Sequence, residues 1–167
     1  MNSETLRLER ILWMSARGKD CYCRFSDVIE GDATYKTSCF GLTLLLFCGV
    51  DNNGITFVIA GCLLSDEQFE SYEWALVNFD KLGFPAPEVI FTDGDTEFGR
   101  AIQKIWPESI HLHCGFHRAQ NIIKNLSGVL HEDLNDFLID FWRVASLEDE
   151  AEYLAQLEAM KASWSNA

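Results

Sequence analysis

Residues 42–64 read LTLLLFCGV-DNNG-ITFVIAGCLL. Leu42 to Val50 is almost continuously apolar, the pattern of a strand buried on both faces. Asp51-Asn52-Asn53-Gly54 is a turn ending in the Asn-Gly pair that hairpins favour. Ile55 to Leu64 is a second apolar strand. These three pieces predict an antiparallel hairpin within a sheet covered by helices.

Upstream, Leu8 to Met14 reads as a short strand or lead-in, and Arg17-Gly18-Lys19-Asp20 as a turn. Val28-Ile29 begins a short extended run that ends at Asp32, with Ala33-Thr34-Tyr35 following. Downstream, the hydrophobic period changes. Phe69, Tyr72, Leu76 and Phe79 fall on one face of a helix. Ser65 and Gln68 have capping-box spacing at its start. Gly83, Pro85 and Pro87 end it. Glu88 to Thr92 is a short apolar strand. Phe98, Ala101, Ile102 and Ile105 mark a helix stopped by Pro107, with Asp95 as its cap. Ser109 to Cys114 alternates like a strand. The rest is helical: Arg118 to Leu126, then a helix with Leu134, Leu138 and Phe141 on one face, then one using Ala151, Leu154 and Leu157. Ser146 is the expected cap of that last helix, with Glu148, Asp149 and Glu150 set against its dipole. A buried hairpin followed by alternating helices and strands predicts an α/β fold with a mixed sheet.

At 167 residues and 19.0 kDa the chain has room for a substantial core. Its 48% hydrophobic and 23% charged residues exclude disorder throughout. No apolar run is long enough to span a bilayer, so no membrane partner is expected. The six cysteines, several inside apolar runs, suit reduced thiols in an intracellular protein. The net charge of −13 and pI near 4.6 oppose nucleic acid binding, which depends on Lys and Arg meeting phosphates. DNA binding by this chain alone is therefore expected to be weak.

Two acids stand out. Asp32 and Asp93 are each expected where a buried strand ends, the edge at which open α/β sheets bind ligands. Two carboxylates about 4 Å apart repel by ~4 kcal/mol at an effective dielectric of 20. Pairing them calls for a proton or a cation, and a divalent metal with oxygen ligands is the common answer. A denser group follows: His111, His113, Cys114 and His117. On a strand, His111 and His113 share a face and Cys114 takes the other. Cys114-Gly115-Phe116-His117 is a Cys-x-x-His unit, a spacing that can put sulfur and nitrogen on one zinc. Turn-fixing hydrogen bonds are the competing explanation for it.

These residues resemble the Mutator-like (MULE) transposases. The likeness rests on Phe25-Ser26-Asp27-Val28-Ile29-Glu30-Gly31-Asp32-Ala33-Thr34-Tyr35-Lys36-Thr37, the 42–64 hairpin and the Glu67 to Trp74 helix. It continues through Val89-Ile90-Phe91-Thr92-Asp93, Ala101-Ile102, Pro107 and Cys114-x-x-His117 with Asn121, covering about residues 8–160. The resemblance implies an RNase H-like core over 1–127 and, over 128–167, the start of a helical insertion. It implies DDE chemistry: three acids hold Mg²⁺ or Mn²⁺ for DNA strand cleavage and transfer, with Asp32 and Asp93 as the first two. It implies transposon-end DNA as the full-length partner and a nuclear location; whether the protein forms a homo-oligomer the sequence does not say. The family's third acid is a Glu in a T-x-x-x-x-E-S-x-N context, which this sequence lacks; Glu148, Glu150 and Glu152 stand outside such a context. The chain is thus expected to stop within the insertion and to be inactive alone.

Two other readings compete. Relatives of these transposases include plant regulators of the far-red light response, so a domesticated domain acting in transcription or protein association is the alternative. Phe91-Thr92-Asp93-Gly94-Asp95 also resembles the D-x-D loop of haloacid-dehalogenase phosphatases, though Glu97 stands where that loop wants Thr or Val.

Overall fold

The computed structural model describes residues 8–34 and 40–165. Tyr35, Lys36, Thr37 and Cys39 lie outside the described residues. The chain forms two compact units, Met1–Cys114 and Gly115–Ala167.

The first unit is a six-stranded mixed sheet with helices. Its strands are β1 (Ile11–Met14), β2 (Val28–Thr34), β3 (Thr43–Val50), β4 (Thr56–Leu64), β5 (Val89–Thr92) and β6 (Ile110–His113). Their order across the sheet is β1-β4-β3-β2-β5-β6. The expected hairpin is β3 and β4, in register from Thr43↔Leu64 to Val50↔Thr56 with a bulge at Phe47/Cys48. Its turn is held by Asp51, whose carboxylate accepts from the Asn53 and Ile55 amides at 2.8 and 3.0 Å. The β1, β4, β3 and β2 pairings are antiparallel; β2 with β5 and β5 with β6 are parallel.

Among the described residues this unit holds three helices: α1 (Ala16–Tyr22), α2 (Phe69–Asp80) and α3 (Thr96–Ile105). The expected turn at 17–20 is α1 instead. Ser15 caps it by accepting the Gly18 amide at 2.9 Å. Gly18 is buried because the helix rests on the β4 backbone; a Cβ there would sit 2.2 Å from the Ile59 carbonyl oxygen. The α2 cap also differs. Gln68 occupies the cap position without a side-chain bond, and Ser65 donates to Asp66. Asp66 does the work, accepting from the Gln68 amide and the Ser71 hydroxyl. Burial opposes its charge, but the bonds from Ser71, Ser65 and Gln68 outweigh that and hold its carboxyl below the ordinary range. Asp95 caps α3 as expected, accepting the Phe98 amide at 2.8 Å.

The core lies under α2 and α3. Tyr72, Leu76 and Phe79 from α2 and Phe98 and Ile102 from α3 meet Ile29, Leu45, Phe47 and Ile90 of the sheet. Trp106 joins them and donates its indole N–H to Asp80 at 2.7 Å. Cys62 is a fully buried thiol, pushed up to about 12 by burial, with Arg10 opposing, so it behaves as a core hydrophobe. The described cysteines, 21, 23, 48, 62 and 114, are free.

The second unit is helical: α4 (Gly115–Leu130), α5 (Leu134–Ala145) and α6 (Glu150–Ser163), with a 3₁₀ turn at His131–Asp133. Helix α4 is longer than the expected 118–126 piece and runs through position 127. Asp149, not Ser146, caps α6, accepting the Glu152 amide at 2.8 Å; Ser146 closes α5. Arg143 of α5 donates to Gln156 of α6, and Trp164 donates to Asp140 at 3.0 Å. Among the described residues no helix is long and apolar enough to cross a membrane.

Candidate functional site

Asp32 is not at a strand end. It lies inside β2, paired with Leu46 of β3, because that antiparallel ladder continues to Thr34↔Leu44. The parallel ladder on the other side stops sooner, at Gly31↔Thr92. Asp32 and Asp93 are therefore the next positions on two neighbouring parallel strands, which run about 4.8 Å apart. Both are half-buried. Asp93 starts a tight loop: its carboxylate accepts the Asp95 amide at 3.0 Å, and Gly94 adopts φ +93°, the left-handed region glycine allows. The Asp95 cap then launches α3. Each step from β5 into α3 is thus fixed by a named bond.

On the far side of β5, the β6 ladder ends at Thr92↔His113. The Cys114 amide extends it by donating to the Thr92 carbonyl at 2.6 Å. Asp32, Asp93 and Cys114 thus occupy matching positions just beyond the parallel ladders. One residue was not singled out from the sequence. Glu30 of β2 holds a carboxylate oxygen within 4.8 Å of the Cys114 sulfur. Its two-residue offset from Asp32 puts both on one sheet face, but only the strand order brings β6 near them. Cys48, the β3 partner of Glu30, feels the same group: burial first, then the charges of Glu30 and Asp32, push its thiol up. His117 lies in the first turn of α4, half-buried.

His111 and His113 share a face as expected, with rings 5.6 Å apart. With Gly94, Asp95, Arg100 and Gln103 they line a cavity of about 570 Å³ beside α3. His111 Nε2 lies 2.8 Å from the hydroxyl of fully buried Thr92. Burial, then the neighbouring His113, lower the His111 pKa below its ordinary 6.5. The unfolded chain therefore binds this proton more readily than the fold does. His111 contributes stability above its unfolded pKa of about 6.5. That contribution falls as pH drops through the window down to the depressed folded value. Urea midpoints at pH 7.5 and 5.5 should differ, and His111→Gln should narrow the gap. An equal gap in wild type and variant would exclude the assignment.

The MULE transposase domain family model matches residues 28–121, an interval that holds Asp32, Asp93, Cys114 and His117. The chain belongs to this family. It is 31% identical over 140 residues to Protein FAR-RED IMPAIRED RESPONSE 1 of Arabidopsis thaliana, covering 83% of this chain and 17% of that protein. Over 126 residues it is 32% identical to Protein FAR1-RELATED SEQUENCE 4 of the same plant, covering 74% and 17%. Over 150 residues it is 31% identical to Protein FAR1-RELATED SEQUENCE 11, covering 88% and 22%. This MULE domain thus spans about a fifth of the length of these relatives. Among solved structures, a chain of the simian T-cell lymphotropic virus intasome in complex with PP2A regulatory subunit B56 gamma is 17% identical, with a TM-score of 0.36 over 79% of this chain and 47% of that one. The protein is transposase-derived.

Proposed function

We propose that this MULE domain is the metal-binding core of a DDE-type strand-transfer protein, with Asp32 and Asp93 as two of three acids. The observation that carries the reading is the register Gly31↔Thr92, which sets the two acids side by side. A sheet in which β1, β4, β3 and β2 pair antiparallel, followed by β5 and β6 parallel to β2, supports an RNase H-like core. The donor set fits Mg²⁺ or Mn²⁺, which take hard carboxylate oxygens. When bound, such ions polarise a phosphodiester and activate a water or hydroxyl nucleophile. The residues' own part is to hold their oxygens in place: Asp93 through its bond from the Asp95 amide, Asp32 through the β2–β3 ladder. Strand cleavage also needs a third carboxylate, so this chain alone binds metal without cutting DNA. The full-length protein would act on transposon ends in the nucleus, as an oligomer. The Cys114-x-x-His117 spacing is proposed to hold zinc.

Manganese titration followed by EPR tests the acid pair. Wild type should bind Mn²⁺ weakly, and Asp32→Asn or Asp93→Asn should each weaken binding by at least about tenfold, the least expected for losing a direct ligand. Unchanged affinity in both variants would remove the site.

The net charge of −13 favours a second reading, a domesticated domain that associates with proteins in transcription. Strand transfer by the full-length protein would discard it. Specific capture of a transcription partner, with no nuclease activity, would support it.

A further inference from the structure

We propose that Glu30 is a zinc ligand beside Cys114, making a mixed oxygen–sulfur site next to the Asp32–Asp93 pair. This inference rests on the zinc reading of the Cys114-x-x-His117 spacing and gives Cys114 a partner ligand within its own unit. The carboxylate and the sulfur lie within 4.8 Å of one another, and both side chains are half-buried. A tetrahedral zinc, with Zn–S of about 2.3 Å and Zn–O of about 2.1 Å, sets such atoms roughly 3.6 Å apart. One side-chain adjustment closes that difference. The chain positions of both groups are fixed by backbone rather than by flexible loops. Glu30 is pinned in β2 between Cys48 of β3 and Phe91 of β5. Cys114 is tied to β5 by its amide bond to Thr92.

The chemistry separates this site from the acid pair. A thiolate selects zinc or cadmium over magnesium, whereas two aspartates suit magnesium or manganese. Binding releases the Cys114 thiol proton to solvent, and the thiolate and the Glu30 carboxylate together neutralise the dication. Glu30 and Asp32 are two residues apart on one strand, about 6.6 Å along it. The two sites share no ligand: Asp32 and Asp93 serve one, Glu30 and Cys114 the other.

The test is zinc titration of the reduced intact chain by competition with a chromophoric chelator, supported by the cadmium–thiolate ultraviolet band. Wild type, Glu30→Gln, Cys114→Ser and His117→Ala are compared, with circular dichroism to verify each fold. Glu30→Gln is isosteric and should weaken zinc by at least tenfold while retaining the thiolate band and the Mn²⁺ affinity. Cys114→Ser should abolish the band. Zinc affinity within twofold of wild type in Glu30→Gln, with loss in Cys114→Ser and His117→Ala, would overturn the Glu30 assignment and leave the Cys-x-x-His reading standing. Unchanged zinc affinity in all three variants would overturn both. Should Glu30→Gln fail to fold, Glu30→Asp is the second variant. Its shorter arm should weaken zinc measurably, and unchanged affinity would overturn the assignment.

Discussion

Phe98→Ala is expected to destabilise the first unit by about 3–5 kcal/mol, the range for emptying a buried aromatic site. That is a large share of a total stability of about 5–15 kcal/mol. Phe98 is fully buried and stacked on Tyr72, with ring centroids 4.6 Å apart and planes at 18°. Its ring also fills the space over Gly31, where a Cβ would lie 2.8 Å from it. Gly31 directly precedes Asp32, and the Phe98 amide is the one that Asp95 caps. The same truncation should therefore loosen both arms of the acid pair and lower Mn²⁺ affinity. A double-mutant cycle makes the contact measurable. Gly31→Ala alone should cost about 1–3 kcal/mol by overpacking. In the Phe98→Ala background it should cost much less, because the cavity receives the new methyl. Additive costs, measured by urea denaturation, would show that the ring and the glycine do not share that space.

How much of this was legible in the sequence follows from how locally each feature is encoded. The β3–β4 hairpin was, because a nine-residue, almost continuously apolar run, an Asn-Gly turn and ten more residues state it without outside help. The α3 cap was legible for the same reason, since Asp95 meets an amide three residues away. The positions of Asp93 and Cys114 just past short strands could also be read. The end of β2 could not. The short extended run read from the sequence stops at Asp32, but the strand continues because β3 offers Leu45 and Leu44 as partners to Ala33 and Thr34. Nor could the α2 cap: Ser65 and Asp66 are both good caps, and the choice depends on which oxygen Ser71 reaches. Glu30 meets Cys114 only through the order β2-β5-β6, a juxtaposition across 84 residues of chain that no spacing rule encodes.

Gly18→Ala separates local signal from tertiary packing most sharply. Arg17-Gly18-Lys19-Asp20 has the composition of an exposed turn. In such a turn, alanine is neutral or stabilises by about 0.4–1 kcal/mol wherever the backbone tolerates it. In an exposed helix alanine is favoured over glycine by about 1 kcal/mol. Both local arguments predict no loss. The packing predicts the opposite. The new methyl would sit 2.2 Å from the Ile59 carbonyl oxygen and 2.9 Å from that of Val58. Both atoms are backbone in β4, which is held by β1 on one side and β3 on the other. Val58 is paired with Cys48, and Ile59 is the bulge residue held between that pair and Phe47↔Ala60, so shifting either carbonyl strains both flanking pairs and α1 lifts away instead. Lifting it withdraws Tyr22, which is fully buried against Phe79 and Phe84 and donates its hydroxyl to the Pro85 carbonyl at 2.8 Å. The expected cost is about 3 kcal/mol or more, at the upper end for overpacking, and Gly18→Val should cost more. A melting temperature for Gly18→Ala at or above that of wild type would place residues 17–20 back on the surface as a turn.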